Sequence, residues 1–274
     1  MFNENLKWYF PASISKAVRL IEQPGIIFHG GGTRILKTQS RSIIGLVDIS
    51  GLKLNYIKQK KDLFHIGAAV TFGEAVKFSK ENCRLSMLGS ALSEAASTPL
   101  RNRITIGGSV KDFPLWSNLY AALIALNTKV EINDGKSKII SLEDYVSEGI
   151  IRTKHLVKEI IVSEDENMVW GVKRFALLKF EYPLFNIAAA LKLKNELIHD
   201  ARLVITGVKS RYKRFSKAEN FLEGKVLTEK LISQVVKFIE PKFVSDYKYS
   251  ASYKERTAKI FFEDMLLEMM GSKK

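Results

Sequence analysis

The chain has 274 residues, 46% apolar and 10% aromatic, which is enough to bury a core in two or three lobes and too apolar for a disordered chain. Its 43 Lys and Arg against 29 Asp and Glu leave a formal charge of +14. That charge invites a nucleic-acid reading, but it is spread along the chain rather than gathered in one run, and such a diffuse field also suits an anionic cofactor or an acidic partner. One cysteine, Cys83, excludes an intramolecular disulfide or a cysteine-held cluster, and four scattered histidines show no metal-ligand spacing.

In chain order, Ser13 is placed to cap a helix over 13–23, with Ile14, Ala17, Val18 and Ile21 on one face and Pro24-Gly25 as its stop. "IIFH" (26–29) reads as a strand, followed by Gly30-Gly31-Gly32, a short turn that Thr33 caps, and a strand over 42–50. Residues 63–70 are strand-like, 71–79 and 85–97 have helical patterning, and 101–110 reads as a turn with strand-like flanks. The apolar stretch 119–126 reads as a buried helix, too short to span a bilayer. No basic-then-apolar leader opens the chain, so the expectation is a soluble, cytoplasmic protein without a membrane partner. Strands follow at 128–134, ending in the Asn133-Asp134-Gly135 turn, and at 155–163.

From about 167 the texture changes. Residues 169–180, 185–194 and 200–209 read as an antiparallel three-stranded sheet with turns at 181–183 and 195–200. The basic cluster "KSRYKRFSK" (209–217) reads as a solvated strand-to-helix connection. A helix over 229–240 starts at Thr228, buries Leu231, Val235 and Ile239, and stops at Pro241. A last helix, 251–270, presents Tyr253, Thr257, Ile260, Phe261 and Met265. Three lobes result, 1–53, 54–166 and 167–274.

The three glycines demand an explanation, because glycine loses the most backbone freedom on folding. A Rossmann fingerprint would need a third glycine where Ile35 stands, and no Gly-Lys-Ser/Thr follows for a P-loop. What remains is a run of amides able to form an anion-binding nest, with Thr33 adding a hydroxyl. "TIGGS" (Thr105 to Ser109) repeats the design, with Arg101 and Arg103 just upstream. Each loop alone reads first as a tight turn, the commoner reason for adjacent glycines. Two on successive lobes suggest a diphosphate held by backbone dipoles rather than by a metal.

These residues carry a resemblance over nearly the full length. "GGGTRIL", "VDISGL", "FHIGAAVTFGEAV" and above all "RNRITIGGSV…LWSNLYAALIALNTKVEI" resemble the FAD-binding medium subunit of the molybdenum hydroxylases, the xanthine dehydrogenase and carbon monoxide dehydrogenase group. "SLEDYV", "LVKEIIV", "KFEYPLFNIAAAL" and "YKERTAKIFFEDML" continue the likeness. It implies an α+β fold: a two-lobed PCMH-type FAD-binding domain (lobes 1–53 and 54–166), then a small C-terminal domain (167–274) of an antiparallel three-stranded sheet plus helices.

It also implies a flavoprotein oxidoreductase subunit with FAD as its cofactor, and molybdopterin and iron–sulfur clusters only on partner subunits. Electrons would pass from an iron–sulfur subunit through FAD to NAD or another acceptor, with a purine or related heterocycle as substrate of the complex. The chemistry would be the cofactor's, with no catalytic side chain in this chain. By the same resemblance, Gly30, Gly31, Gly32, Thr33, Arg34 and Ile35 wrap the pyrophosphate. Ser97, Thr105, Ile106, Gly107, Gly108 and Ser109 line a second side, and Ile160 packs near the adenine end. Arg174 falls near a flavin-side lysine and Tyr182 near the flavin ring. Asn118 stands where the family has an aspartate that contacts ribityl or ribose hydroxyls, Ser109 where it has asparagine, and Glu181 where it has aspartate. A stand-alone FAD-dependent reductase, a degenerate scaffold that keeps the fold without FAD, and a basic nucleic-acid binder are the alternatives.

Overall fold

The computed structural model describes residues 4–38, 40–163 and 165–271. The chain forms two compact units, one of Met1–Phe78, Ala96–Phe113 and Asn127–Ser163, the other of Ser79–Ala95, Pro114–Leu126 and Glu164–Lys274.

The first unit opens with β1 (Lys7–Tyr9), α1 (Ile14–Ile21), β2 (Ile26–His29), α2 (Thr33–Thr38) and β3 (Gly45–Asp48). The three strands form a parallel sheet in the order β1-β3-β2. Ser13 caps α1 by accepting from the Lys16 amide at 3.4 Å, and Ala17, Val18 and Ile21 bury the expected face. Next come β4 (Ile57–Lys60), β5 (Leu63–Gly67) and α3 (Phe72–Glu81). Thr71 and Glu74 close a reciprocal capping box on α3: the Thr71 amide donates to Glu74 Oε2 at 2.7 Å, and the Glu74 amide returns to Thr71 Oγ1 at 3.2 Å.

The chain continues through α4 (Ser86–Ser93), α5 (Thr98–Arg101), α6 (Ile106–Asp112) and α7 (Asn118–Ala125). It returns through β6 (Lys129–Asn133), β7 (Ser137–Ser141), α8 (Leu142–Ser147) and β8 (Leu156–Val162). The second sheet is antiparallel with order β4-β5-β8-β6-β7, so β8, the strand latest in sequence, lies at its centre. Residues 101–110 are not a turn with strand-like flanks. Only an isolated bridge between Thr71 and Thr105 survives of that reading, and residues 106–112 form α6 because Thr105 caps it by accepting from the Gly108 amide.

The second unit is built on β9 (Met168–Phe175), β10 (Phe185–Lys194), β11 (Leu197–Val208) and β12 (Arg211–Arg214), an antiparallel sheet in the order β12-β11-β10-β9. It has four strands where three were expected. The basic cluster at 209–217 is partly β12, whose Tyr212 pairs with Thr206. The turn before β11 is only Asn195-Glu196, both left-handed (φ +51° and +64°), the backbone of a two-residue hairpin turn.

α9 (Ser216–Leu222), α10 (Glu229–Val235) and α11 (Ala251–Gly271) complete the unit. On one face of the sheet they enclose a core that includes Phe185, Ile187, Leu203, Ile205 and Phe262. α7, whose seven residues after Asn118 are all buried, packs on β10 and β11 from the other face, where Asn186 donates to the Ser117 carbonyl. Phe175 stacks on Phe185 with ring centroids 5.0 Å apart, and Phe261 meets both edge-on. Each fully buried ring of this kind contributes about 2–3 kcal/mol.

Thr228 caps α10 as its position predicts, accepting from the Leu231 amide at 3.2 Å. Thr228→Ala is expected to cost about 1 kcal/mol, read as a lower urea midpoint at unchanged slope. The helix ends at Val235 and tightens into a 3-10 turn over Val236–Phe238, since Pro241 disfavours helical backbone at the residue before it. α11 buries Lys254, Ala258, Phe262, Met265, Leu266 and Met269, one residue round from the expected stripe, while Tyr253 and Ile260 are exposed. Lys254 can sit on the buried stripe because its amine donates to the Val244 carbonyl at 2.9 Å and pairs with Asp246.

Candidate functional site

The two glycine loops meet inside the first unit. A Cβ on Gly31 would overlap the Arg103 carbonyl oxygen, and one on Gly30 would stand 3.0 Å from Thr105 Oγ1. Arg103 returns the contact: Nε and Nη2 both donate to the Gly31 carbonyl at 3.3 Å. Gly32, at φ +73°, makes the turn that side chains resist. Gly31 therefore answers to close packing of one loop on the other and Gly32 to backbone conformation, while Gly30 stands in a tight contact that a small movement of Thr105 could relieve.

The loops are not equivalent as anion sites. In the second, the Ile106 amide donates to the Val70 carbonyl (2.8 Å), Gly107 to Ala68 (2.9 Å) and Gly108 to Thr105 Oγ1 (3.3 Å), so its backbone donors are engaged. A Cβ on Gly107 would overlap that of Ala68, which explains this glycine by packing. The first loop is open. Gly30 is exposed, Gly31, Gly32 and Thr33 are half-buried, and α2 buries none of its side chains. Its first intrahelical bond is from Leu36 to Gly32, and among the described residues the amides of Thr33, Arg34 and Ile35 have no acceptor. Arg34 Nε pairs with Asp112 Oδ1 at 3.1 Å, tying α2 to α6.

Other residues singled out in the sequence fall as follows. Ser97 begins α5, behind Ala96 in the left-handed region (φ +48°), and Arg101 Nη1 holds the Ala96 carbonyl at 2.9 Å. A non-glycine residue kept at such an angle is held there by its surroundings. Ser109 is half-buried in α6, while Ile106 and Ile160 are fully buried and present no side chain to a ligand.

In the second unit, Asn118 opens α7 and Arg174 lies in β9 opposite Asn186 of β10. With Glu94 these line one shallow depression. Asn186 donates from Nδ2 to the Ser117 carbonyl and Thr206 Oγ1, both at 3.3 Å. Its Oδ1 and the Arg174 Nε are buried without a partner among the described residues. Burial lowers the Arg174 pKa, against the opposing charge of Glu94. Tyr182 is exposed, its ring 4.5 Å from that of Trp116. Arg101, Arg103 and Asn186 are not among the site residues that the sequence marks. The "RNR" before the second loop was the available signal for the first two, and nothing local marks Asn186.

A family profile described as "FAD binding domain in molybdopterin dehydrogenase" matches residues 2–163, and a second, "CO dehydrogenase flavoprotein C-terminal domain", matches residues 175–269. The chain belongs to this FAD-binding family. Among its relatives, the nicotine 6-hydroxylase medium subunit of Paenarthrobacter nicotinovorans is 27% identical over 81% of this chain and 82% of its own. The glyceraldehyde dehydrogenase medium chain of Sulfolobus acidocaldarius is 24% identical over 82% of this chain and 83% of its own. Among solved structures, a quinoline 2-oxidoreductase from Pseudomonas putida 86 superposes with a TM-score of 0.87 at 20% identity, covering 99% of this chain and 98% of that one. A Cu,Mo-CO dehydrogenase superposes at 0.89 and 18% identity, covering 99% of both chains. These show the same fold.

The chain thus carries the FAD-binding domain of an oxidoreductase family, with an antiparallel C-terminal sheet domain. The first loop fits the anionic bridge of FAD: it is open, lacks side chains at three positions and offers three amides without acceptors. No helix among the described residues is long and apolar enough to cross a membrane.

Proposed function

We propose that this chain is the electron-transfer subunit of a molybdenum hydroxylase complex, taking electrons from an iron–sulfur subunit and delivering them to NAD or another acceptor. The observation that carries this is the match to medium subunits over about four-fifths of the chain, with both domain profiles in the same order, together with the open glycine arc. In this reading Gly30 to Ile35 hold the diphosphate through backbone amides. Ser97, Thr105, Gly107, Gly108 and Ser109 form the wall behind them, and Ile106 and Ile160 support that wall from within the core. In the second unit Asn118, Arg174 and Tyr182 keep flavin-side roles. Asn118 supplies an amide acceptor without charge, which weakens a hydroxyl contact by about 1 kcal/mol against a carboxylate.

Bound FAD supplies the electron-carrying ring; the chain supplies its position, its shielding from water and the charge around it. The molybdopterin and iron–sulfur centres belong to partner subunits. A purine or related heterocycle is the proposed substrate of the whole complex, and the nicotine and quinoline named for the two relatives above are heterocycles of comparable kind. An absorption spectrum of the purified chain, taken after adding FAD and desalting, tests the reading. Flavin bands that stay with the protein are expected. A colourless protein that takes up no FAD at excess would leave a scaffold that kept the fold alone.

A further inference from the structure

His29 closes β2 immediately before the glycine arc, and its side chain is 17% exposed. Nδ1 lies 3.2 Å from Oδ2 of Asp48, the last residue of β3. The other oxygen of Asp48 accepts from the Ser50 amide at 2.8 Å and from the Ser50 hydroxyl. Burial alone would raise the Asp48 pKa, but these bonds and His29 outweigh it and hold the carboxyl below its usual range. An ionised carboxylate only accepts, so Nδ1 carries a proton and Nε2 is the ring atom left over. That atom faces the arc: a Cβ on Gly32 would stand 2.7 Å from Nε2. Among the described residues Nε2 has no hydrogen-bond partner.

Among the described residues, these groups lie around the ring. Asp48 faces it from β3, the uncharged Trp8 ring of β1 meets it edge-on at 4.8 Å, and Ser50 lies behind Asp48. The cations of the arc are Arg103, on the Gly31 carbonyl, and Arg34, paired with Asp112.

We propose that His29 is a positioning residue of the diphosphate arc, and that its protonated ring, held by Asp48, strengthens retention of a dinucleotide diphosphate. The inference rests on the FAD reading above and adds a residue to it. Protonation turns Nε2 from an acceptor into a charged donor against the loop, and charge-assisted bonds to phosphate oxygens are roughly twice as strong as neutral ones.

The full chain is titrated with FAD by flavin fluorescence at pH 6 and pH 8.5. The wild type is expected to bind about tenfold tighter at pH 6, while His29→Gln binds equally at both. Asp48→Asn keeps the ring but removes the carboxylate that orients it at 3.2 Å, so the tightening at pH 6 is expected to shrink. A role that only shapes the loop would weaken His29→Gln equally at both pH values and leave the pH trend in place, which overturns the proposal. Wild-type affinity independent of pH overturns it too. Failure of the wild type to bind FAD at either pH removes the FAD reading itself, and this inference with it. If His29→Gln does not fold, Asp48→Asn decides: an undiminished tightening at pH 6 overturns the proposal.

Discussion

Gly31→Val is expected to destabilise the protein by about 4 kcal/mol or more and to abolish FAD retention. The added Cβ would overlap the Arg103 carbonyl oxygen, and that oxygen cannot retreat. The Arg103 and Ile104 amides both bond the Leu100 carbonyl, at 3.0 and 2.9 Å, and the Ile104 carbonyl accepts from Phe72 at 2.9 Å. Yielding would therefore break the start of α3 as well as the loop contact. Gly30→Ala is the control, because its Cβ would meet only a hydroxyl at 3.0 Å and two apolar methyl groups at 3.5 Å. Its expected cost is about 1 kcal/mol or less. Urea unfolding followed by circular dichroism, with FAD absorbance on the same samples, separates the two. Equal stabilities for Gly31→Val and wild type would show that the loops do not pack as described.

The second large effect is acid lability centred on His155. This residue is 1% exposed, and its hydrogen bonds specify the neutral ring. The Thr153 hydroxyl donates to the Ile150 carbonyl at 2.9 Å, so it accepts from His155 Nδ1 at 3.0 Å. Nε2 is then the acceptor for the Tyr145 hydroxyl at 2.8 Å, and burial pushes the Tyr145 pKa up, keeping it a donor. Burial, then the charge of Lys111, lowers the His155 pKa from 6.5 to about 4. Between those values the unfolded chain takes up a proton that the folded chain refuses. The contribution is fully present above pH 6.5, is lost as pH falls towards 4, and amounts to about 3 kcal/mol.

Lys111 acts in the same direction at higher pH. Its amine donates to the Ile151 and Thr153 carbonyls at 2.7 and 2.6 Å, and burial lowers its pKa from 10.5 to about 8. Stability therefore rises again as pH climbs from 8 to 10.5. Urea midpoints measured from pH 4 to 8 are expected to fall steeply below 6.5 in the wild type and to flatten in His155→Gln. Identical slopes in the two proteins would place the acid-sensitive group elsewhere.

Both effects depend on contacts that the sequence states only in part. Local chemistry made the helix starts legible, because a cap is a bond between residues three apart: Ser13 with Lys16, Thr228 with Leu231. The apolar run of α7 and the strands β2, β5, β8 and β10 were legible from burial patterning. The glycine arc and its family signature were legible as well, since the motif lies within one short stretch of chain. β12 was hidden by its charge, as an edge strand keeps Arg211 exposed and looks like solvated loop.

By itself, then, the sequence determined the family, the flavin cofactor of its domain and the order of most elements, because periodicity, caps and motifs are properties of neighbouring residues. Only the tertiary structure decided why the glycines are there. Gly31 and Gly107 yield space to Arg103 and Ala68, which lie 72 and 39 positions away along the chain. It alone decided that segments 79–95 and 114–126 belong with the C-terminal sheet and which stripe of α11 is buried. It also decided that His29 and His155, indistinguishable as sequence, differ in kind. One has a ring nitrogen turned to an open loop and the other has both nitrogens engaged in a core. The reason is the same in each case: burial and partner choice are set by residues distant in sequence, and no local pattern encodes which of them arrive.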